Sequence, residues 1–264
     1  MASTVQCHRG MPDYPLDAFQ VPSILYFASG SNRVPVLDGF GRAGLPIGVA
    51  APEVLARRGG FRPGVLEAIQ RHPERPVFVD SGAFSEVCFK SGAPRVVRPM
   101  GAEQWRRVFE LYFEIVRASR RGRVSIVAPD RVGDQAVTLE RLARHAGELL
   151  ELHELGAVVL LPVQRGELSA ADFYRRACDV VGFEMVPAIP MKKKATSTAD
   201  AARFLEAVKP ARVHLLGKGP RSRDWRKLLE ALRAASPTTT QTACLRPLLQ
   251  RRKTPRSPRP IPTP

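Results

Sequence analysis

With 264 residues, 44% of them hydrophobic, the chain has enough apolar content to bury one substantial core, at a size where an α/β barrel folds as a single domain. Its 41 Lys+Arg against 25 Asp+Glu leave a formal net charge of +16, which excludes an electrostatically indifferent surface and points to a polyanion, nucleic acid ahead of an anionic membrane. No apolar run of membrane-spanning length occurs and MASTVQCHRG lacks the apolar core of a secretory signal, so the expectation is a soluble, cytoplasmic protein with no membrane partner.

In chain order, short apolar runs bounded by turn residues alternate with longer stretches of helical period. The strand candidates are ILYFASG (24–30), LPIGVAA (45–51), VFVDSGA (77–83), VSIVAPD (124–130), AVVLLPV (157–163), MVPAIP (185–190), RVHLLG (212–217) and TTQTACL (239–245). Repeated βα units predict an α/β fold, and eight strands is the count of a TIM-type (β/α)8 barrel. A doubly wound open sheet shows the same alternation and is the alternative. Between the strands, Trp105, Val108, Phe109, Tyr112, Ile115 and Val116 recur at helical spacing and predict one buried helix face. Phe204, Leu205 and Val208 repeat it after a cap at Ser197 or Thr198, and Trp225, Leu228, Leu229 and Leu232 after Ser222. Gly133-Asp134 before QAVTLERLARHAGELLELHE reads as an N-cap. From Leu245 onward, LRPLLQRRKTPRSPRPIPTP holds six Lys or Arg, no acid and frequent proline, so it can neither propagate a helix nor bury a core. We therefore expect a barrel over 1–245, incomplete at its last helix, and a disordered basic tail over 246–264.

Cys7, Cys88, Cys178 and Cys244 lie far apart in sequence and read as free, mostly buried thiols. The five histidines are scattered, and His153 opens an HELG that lacks the second histidine of a zincin helix. No metal site and no cofactor are expected.

Catalytic residues of such barrels sit at the C-terminal strand ends. Strand three ends in Asp80-Ser81-Gly82-Ala83-Phe84, strand four in Pro129-Asp130, strand five in Gln164-Arg165-Gly166 and strand seven in Gly217-Lys218-Gly219-Pro220. Two carboxylates, an amide and a glycine-rich loop would converge on one mouth, although an aspartate at a strand end as often caps the next helix. Phe84 reads as core ahead of a ligand contact.

These segments resemble the guanine transglycosylases. VFVDSGAFSE is similar to the DSGGFQ segment of the queuine-type tRNA enzymes, and more similar to the DSGAFSE segment of their phage and bacterial relatives, the DpdA-type enzymes that place 7-deazaguanines in DNA. VAPDRVGDQAVTLERL, LLPVQRGE and VHLLGKGP resemble three further segments of that second branch, in order. The resemblance implies a DNA-guanine transglycosylase, a pentosyltransferase that exchanges guanine for a free pre-queuosine-type base in bacterial or phage-infected cytoplasm, with accessory DNA-modification proteins as further partners. It implies acid/base work for Asp80, recognition of the bound base by Asp130, and contacts from Gln164 and Gly166. Ser81, Gly82, Phe84 and Gly217 would complete the substrate pocket. Lys192, Lys193, Lys218 and Arg221 are expected to hold the nucleic-acid backbone.

Two features depart from the pattern. The zinc site of the tRNA enzymes, three cysteines and a histidine in a C-terminal insertion, has no counterpart, which favours the DNA branch over tRNA. The family nucleophile is an aspartate after the eighth strand, whereas here no acidic residue follows Glu230. The nucleophile is then supplied elsewhere, or the C-terminus is truncated or altered, or the barrel binds nucleic acid without catalysing. Thr238, Thr239, Thr240 and Thr242 are poor substitutes, because an unactivated hydroxyl is a weak nucleophile.

Overall fold

A computed structural model describes residues 24–29, 33–56, 61–88, 94–191, 196–217, 232 and 238–244. The fold is mixed α/β around a curled parallel sheet. The chain runs through β1 (Ile24–Ser29), α1 (Val34–Arg42), β2 (Ile47–Ala50), α2 (Ala51–Ala56), α3 (Phe61–Arg71) and β3 (Val77–Asp80), then a 3-10 turn (Ala83–Glu86). A short antiparallel pair, β4 (Val87–Cys88) and β5 (Arg95–Val96), precedes α4 (Ala102–Ala118) and β6 (Val124–Val127). There follow α5 (Gln135–Arg144), α6 (Ala146–Glu154), β7 (Val158–Pro162), α7 (Ala170–Val181), β8 (Val186–Pro190), α8 (Thr198–Val208), β9 (Arg212–Leu216) and β10 (Thr238–Cys244). All eight strand candidates are found as parallel strands, in the spatial order β1-β10-β9-β8-β7-β6-β3-β2. Strand β1 pairs with β10 from Ile24↔Thr239 to Ser29↔Cys244, and with β2 only at Ala28↔Ile47, so the order returns on itself.

Parallel strands covered by helices are apolar on both faces, and here the two faces form two cores. Val77 and Val79 face the helices in the larger cluster, together with Ile126, Val159, Leu161 and Leu215. Phe27, Phe78, Val127, Leu160, Val186 and Ala188 make the inner cluster. His214 joins that interior, fully buried and stacked on Phe78 at 5.1 Å between ring centroids.

The predicted helix face is buried on α4: Trp105, Val108, Phe109, Tyr112, Ile115 and Val116 all lie in the larger cluster, and Leu111 with them. Its start is held by the Gly101 N–H donating to Gln104 Oε1 at 3.0 Å. Ser197 caps α8, accepting from the Asp200 N–H, and Asp134 caps α5, accepting from the Val137 N–H at 3.0 Å. The run predicted as one helix over 135–154 divides at His145, whose backbone leaves the helical region while its ring stacks on Phe109. Cys88 and Cys178 are free, as expected, but half-buried rather than buried. Cys7, the helix predicted around Trp225 to Leu229, and the basic tail fall outside the described residues. Among the described residues, no helix is long and apolar enough to cross a membrane.

Candidate functional site

Alternation along β3 sets Phe78 into the interior, and the residue two further on, Asp80, on the same face at the strand's C-terminal end. Asp80 is half-buried, and its Oδ1 accepts the Gly82 N–H at 2.9 Å. Gly82 lies at φ +81°, where only glycine is relaxed, and a Cβ on it would collide with the Pro52 ring. The turn that follows therefore lies tight against α2. Ser81 is buried, its hydroxyl oxygen accepting the Ala83 N–H at 3.3 Å.

Asp130, three residues beyond β6, is 4% exposed. Gln164 comes to it from the end of β7, donating its amide to Asp130 Oδ2 at 2.7 Å and accepting the Gly133 N–H at 2.9 Å. Gln164 is placed in turn by Gln135, which donates to the Gln164 and Leu168 carbonyls at 2.9 and 3.1 Å and accepts the Leu168 N–H at 2.9 Å. Gly166 is required beside it, because a Cβ there would collide with Gln135 Oε1. Burial, and next the negative charge of Asp80, push the Asp130 carboxyl up to about 7; Arg141 and the Gln164 hydrogen bond pull the other way. The fully buried Tyr112 hydroxyl donates to the Val127 carbonyl at 2.8 Å, and burial, then the carboxylates of Asp80 and Asp130, raise it above the usual phenol range. Asp80 and Asp130 thus act on each other's surroundings at the strand ends, and Tyr112, buried on the helix side, feels both charges.

Sequence reasoning missed the charges beneath this mouth. Glu86, fully buried, accepts from Arg141 at 2.8 Å and from the Met100 N–H on the same Oε1. The other guanidinium nitrogen of Arg141 donates to the Asp130 carbonyl, and the guanidinium lies over the Trp105 ring, 5.3 Å from its centroid. Glu86 Oε2 stands 3.4 Å from Arg131 Nε, within ion-pair distance but not aligned for a hydrogen bond. A basic residue on the inner face of α5, between Thr138 and Leu142, was the only signal available.

Phe84, predicted as core, is 44% exposed in the 3-10 turn, and Val96, which ends β5, and Val97 just beyond it are exposed as well. The turn carries Phe84 outward because Gly82 reverses the chain while Glu86 is drawn inward by Arg141. Gly217 ends β9 at φ +76°. Lys192, Lys193, Lys218 and Arg221 lie outside the described residues.

A cavity of about 530 Å³ opens on the flank between α7 and α8, over Val163, Gly166, Ile189 and Phe204. It borders Gln164 but not Asp80 or Asp130, and its charged rim is already paired, Asp200 taking both Arg165, at 2.6 Å, and Arg203. The coupled carboxylates at the strand ends, and not this cavity, therefore form the candidate site. Among the described residues, no group of three or more His, Cys, Asp or Glu could hold a metal ion.

No protein-family model matches the chain, and no curated protein matches it. Among solved structures, apo 3-keto-D-glucoside 4-epimerase from E. coli is similar over 84% of this chain and 90% of that one, at 11% identity and a TM-score of 0.49.

Proposed function

We propose that the chain is a TIM-type (β/α)8 barrel, with its last helix incomplete, that exchanges guanine in DNA for a free 7-deazaguanine base. The observation that carries the reading is the buried Asp130–Gln164 pair beside Asp80, on the three segments whose sequence resembles the guanine transglycosylases. A carboxyl and a carboxamide side by side present both acceptors and donors to the edge of a purine. Base exchange breaks one N-glycosidic bond and makes another at the same anomeric carbon; with retention, a nucleophile supplied from outside Asp80, Asp130 and Gln164 would bond that carbon as the first base leaves, and the incoming base would displace it. Asp80, nearer the opening, would move the proton to the departing base and from the incoming one. Asp130 and Gln164 would hold the base edge, while Ser81, Gly82 and Gly166 leave room for its approach. A base inside a duplex is out of reach, so the substrate would be flipped or single-stranded DNA. The net charge of +16 suits a polyanionic substrate.

The experiment is mass spectrometry of nucleosides from DNA incubated with the full chain and candidate 7-deazaguanines. A shifted deoxyguanosine mass is expected. Unchanged deoxyguanosine with every base, alongside modified guanosine in tRNA, would transfer the activity to RNA.

One observation favours a different reading, a barrel that binds nucleic acid without turnover: no acidic residue follows Glu230, where the resembled family carries its nucleophile. That reading expects salt-sensitive binding to DNA and no exchange under any condition.

A further inference from the structure

We propose that Glu86 and Arg141 are positioning residues of the mouth: the buried pair grips the main chain at Asp130 and sets one negative and one positive charge beside its carboxyl. Glu86 ties down two stretches of chain at once. Its carbonyl accepts the Val97 and Arg98 N–H groups at 2.8 and 3.2 Å, and its carboxylate accepts the Met100 N–H and the Arg141 guanidinium. Arg141 carries the restraint across 55 residues of sequence to the Asp130 carbonyl. Thr138 fixes the other side of that loop, its hydroxyl oxygen accepting the Arg131 N–H at 3.0 Å and donating to the Asp134 carbonyl at 2.6 Å.

Stability alone is a poor reason for such a pair, because a buried ion pair is often matched or bettered by apolar residues of the same volume. Its location is more informative. It joins the turn six residues after Asp80 to the loop of Asp130, the two segments whose carboxylates must keep a fixed relation for either to work. The groups that act on the Asp130 carboxyl are Asp80 from β3, Glu86 from the 3-10 turn, Arg141 from α5 and Gln164 from the β7 loop; Tyr112 from α4 feels its charge, and Arg131 on the same loop stands against Glu86. Asp80 and Glu86 oppose ionisation of Asp130, whereas Arg141 and Gln164 favour it. Removing the charge of Glu86 and removing that of Arg141 must therefore move Asp130 in opposite directions. An ion pair too distant to act on the carboxyl would not do this.

The proposal rests on Asp130 lying in the working site, but its test reads the carboxyl directly and leaves base exchange to the nucleoside assay. The full chain, labelled at carboxyl carbons, is titrated by NMR, with the Asp130 signal identified by its loss in Asp130→Asn. Glu86→Gln, which keeps an oxygen for the Met100 N–H, is expected to lower the Asp130 midpoint by about one pH unit, and Arg141→Met to raise it by about as much. Arg141→Lys keeps the charge but not the two-pronged grip, so a midpoint nearer wild type than that of Arg141→Met is expected together with a displaced Asp130 carboxyl resonance; a resonance and midpoint both at the wild-type values overturn the grip. Equal-signed shifts in Glu86→Gln and Arg141→Met overturn the proposal. If Arg141→Met does not fold, an unchanged or raised midpoint in Glu86→Gln overturns it alone.

Discussion

Gln164 and Asp130, 34 residues apart, meet at 2.7 Å in a position almost sealed from water. The amide bond favours the ionised carboxylate, while burial and Asp80 disfavour it. Replacing Gln164 by Leu removes the bond and leaves the Gly133 N–H without its acceptor. We expect a loss of about 1–3 kcal/mol in urea unfolding at pH 8, shrinking at pH 5 where Asp130 is neutral. A loss of the same size at both values would place the cost in the Gly133 contact instead.

Asp80→Asn keeps an oxygen for the Gly82 N–H, so the turn after β3 should survive. The expected outcome is an unchanged unfolding midpoint together with a fall in base exchange of at least about 100-fold, the scale of a lost acid/base group. Full exchange activity in this variant would remove Asp80 from the chemistry.

Two buried groups pull stability in opposite directions with pH. Asp130 is raised from 3.8 to about 7, so the folded state holds a proton that the unfolded chain has lost; its contribution is fullest below about 4 and is lost as pH rises through 7. His214 is lowered by burial from 6.5 to about 3, so its contribution is fullest above 6.5 and is lost as pH falls towards 3. Between about 4 and 6.5 the two slopes oppose each other, each at most about 1.4 kcal/mol per pH unit. Asp130→Asn should therefore grow more stable as pH rises across this window, and His214→Phe less stable. Denaturant midpoints measured at half-unit steps check both signs.

Gly166→Ala would force Gln135 away from the Leu168 loop and the Gln164 carbonyl. We expect a loss of about 1–3 kcal/mol, with Gln164 displaced from Asp130 and weaker exchange. Gln135→Ala in the same background should recover part of the loss, since it removes the obstruction; a strictly additive double variant would speak against this contact.

Phe84 is 44% exposed, so Phe84→Ser is expected to cost about 1 kcal/mol, well short of a fully buried phenylalanine. Its effect is expected in affinity for single-stranded DNA, at about 1–3 kcal/mol if a base stacks on the ring. Fluorescence anisotropy with a short labelled strand measures it.

Seven of the strands were legible because parallel strands covered on both faces read as largely apolar runs, stopped here by an acid, glycine or proline; β10, TTTQTAC, is mostly polar and carries no such run. Asp80, Asp130 and Gln164 were legible for the same reason, since they are the first polar residues after such runs. The pair β4 and β5 was not: two residues a side carry no period. Glu86 and Arg141 were not either: helical spacing sets Arg141 on the face of Thr138 and Leu142, but nothing local names the partner, 55 residues away, that neutralises it there. The division of the 135–154 helix at His145 likewise coincides with a contact to α4, not with any local stop signal.

The pairing of β1 has a consequence for how the protein is made. Its single registered pair with β2 is weak company, and its six-residue ladder is with β10, more than 200 residues later. On the ribosome the first strand must wait, with one edge open, until almost the whole chain has emerged. The last strand is therefore the element whose arrival determines when that edge stops being a template for other chains.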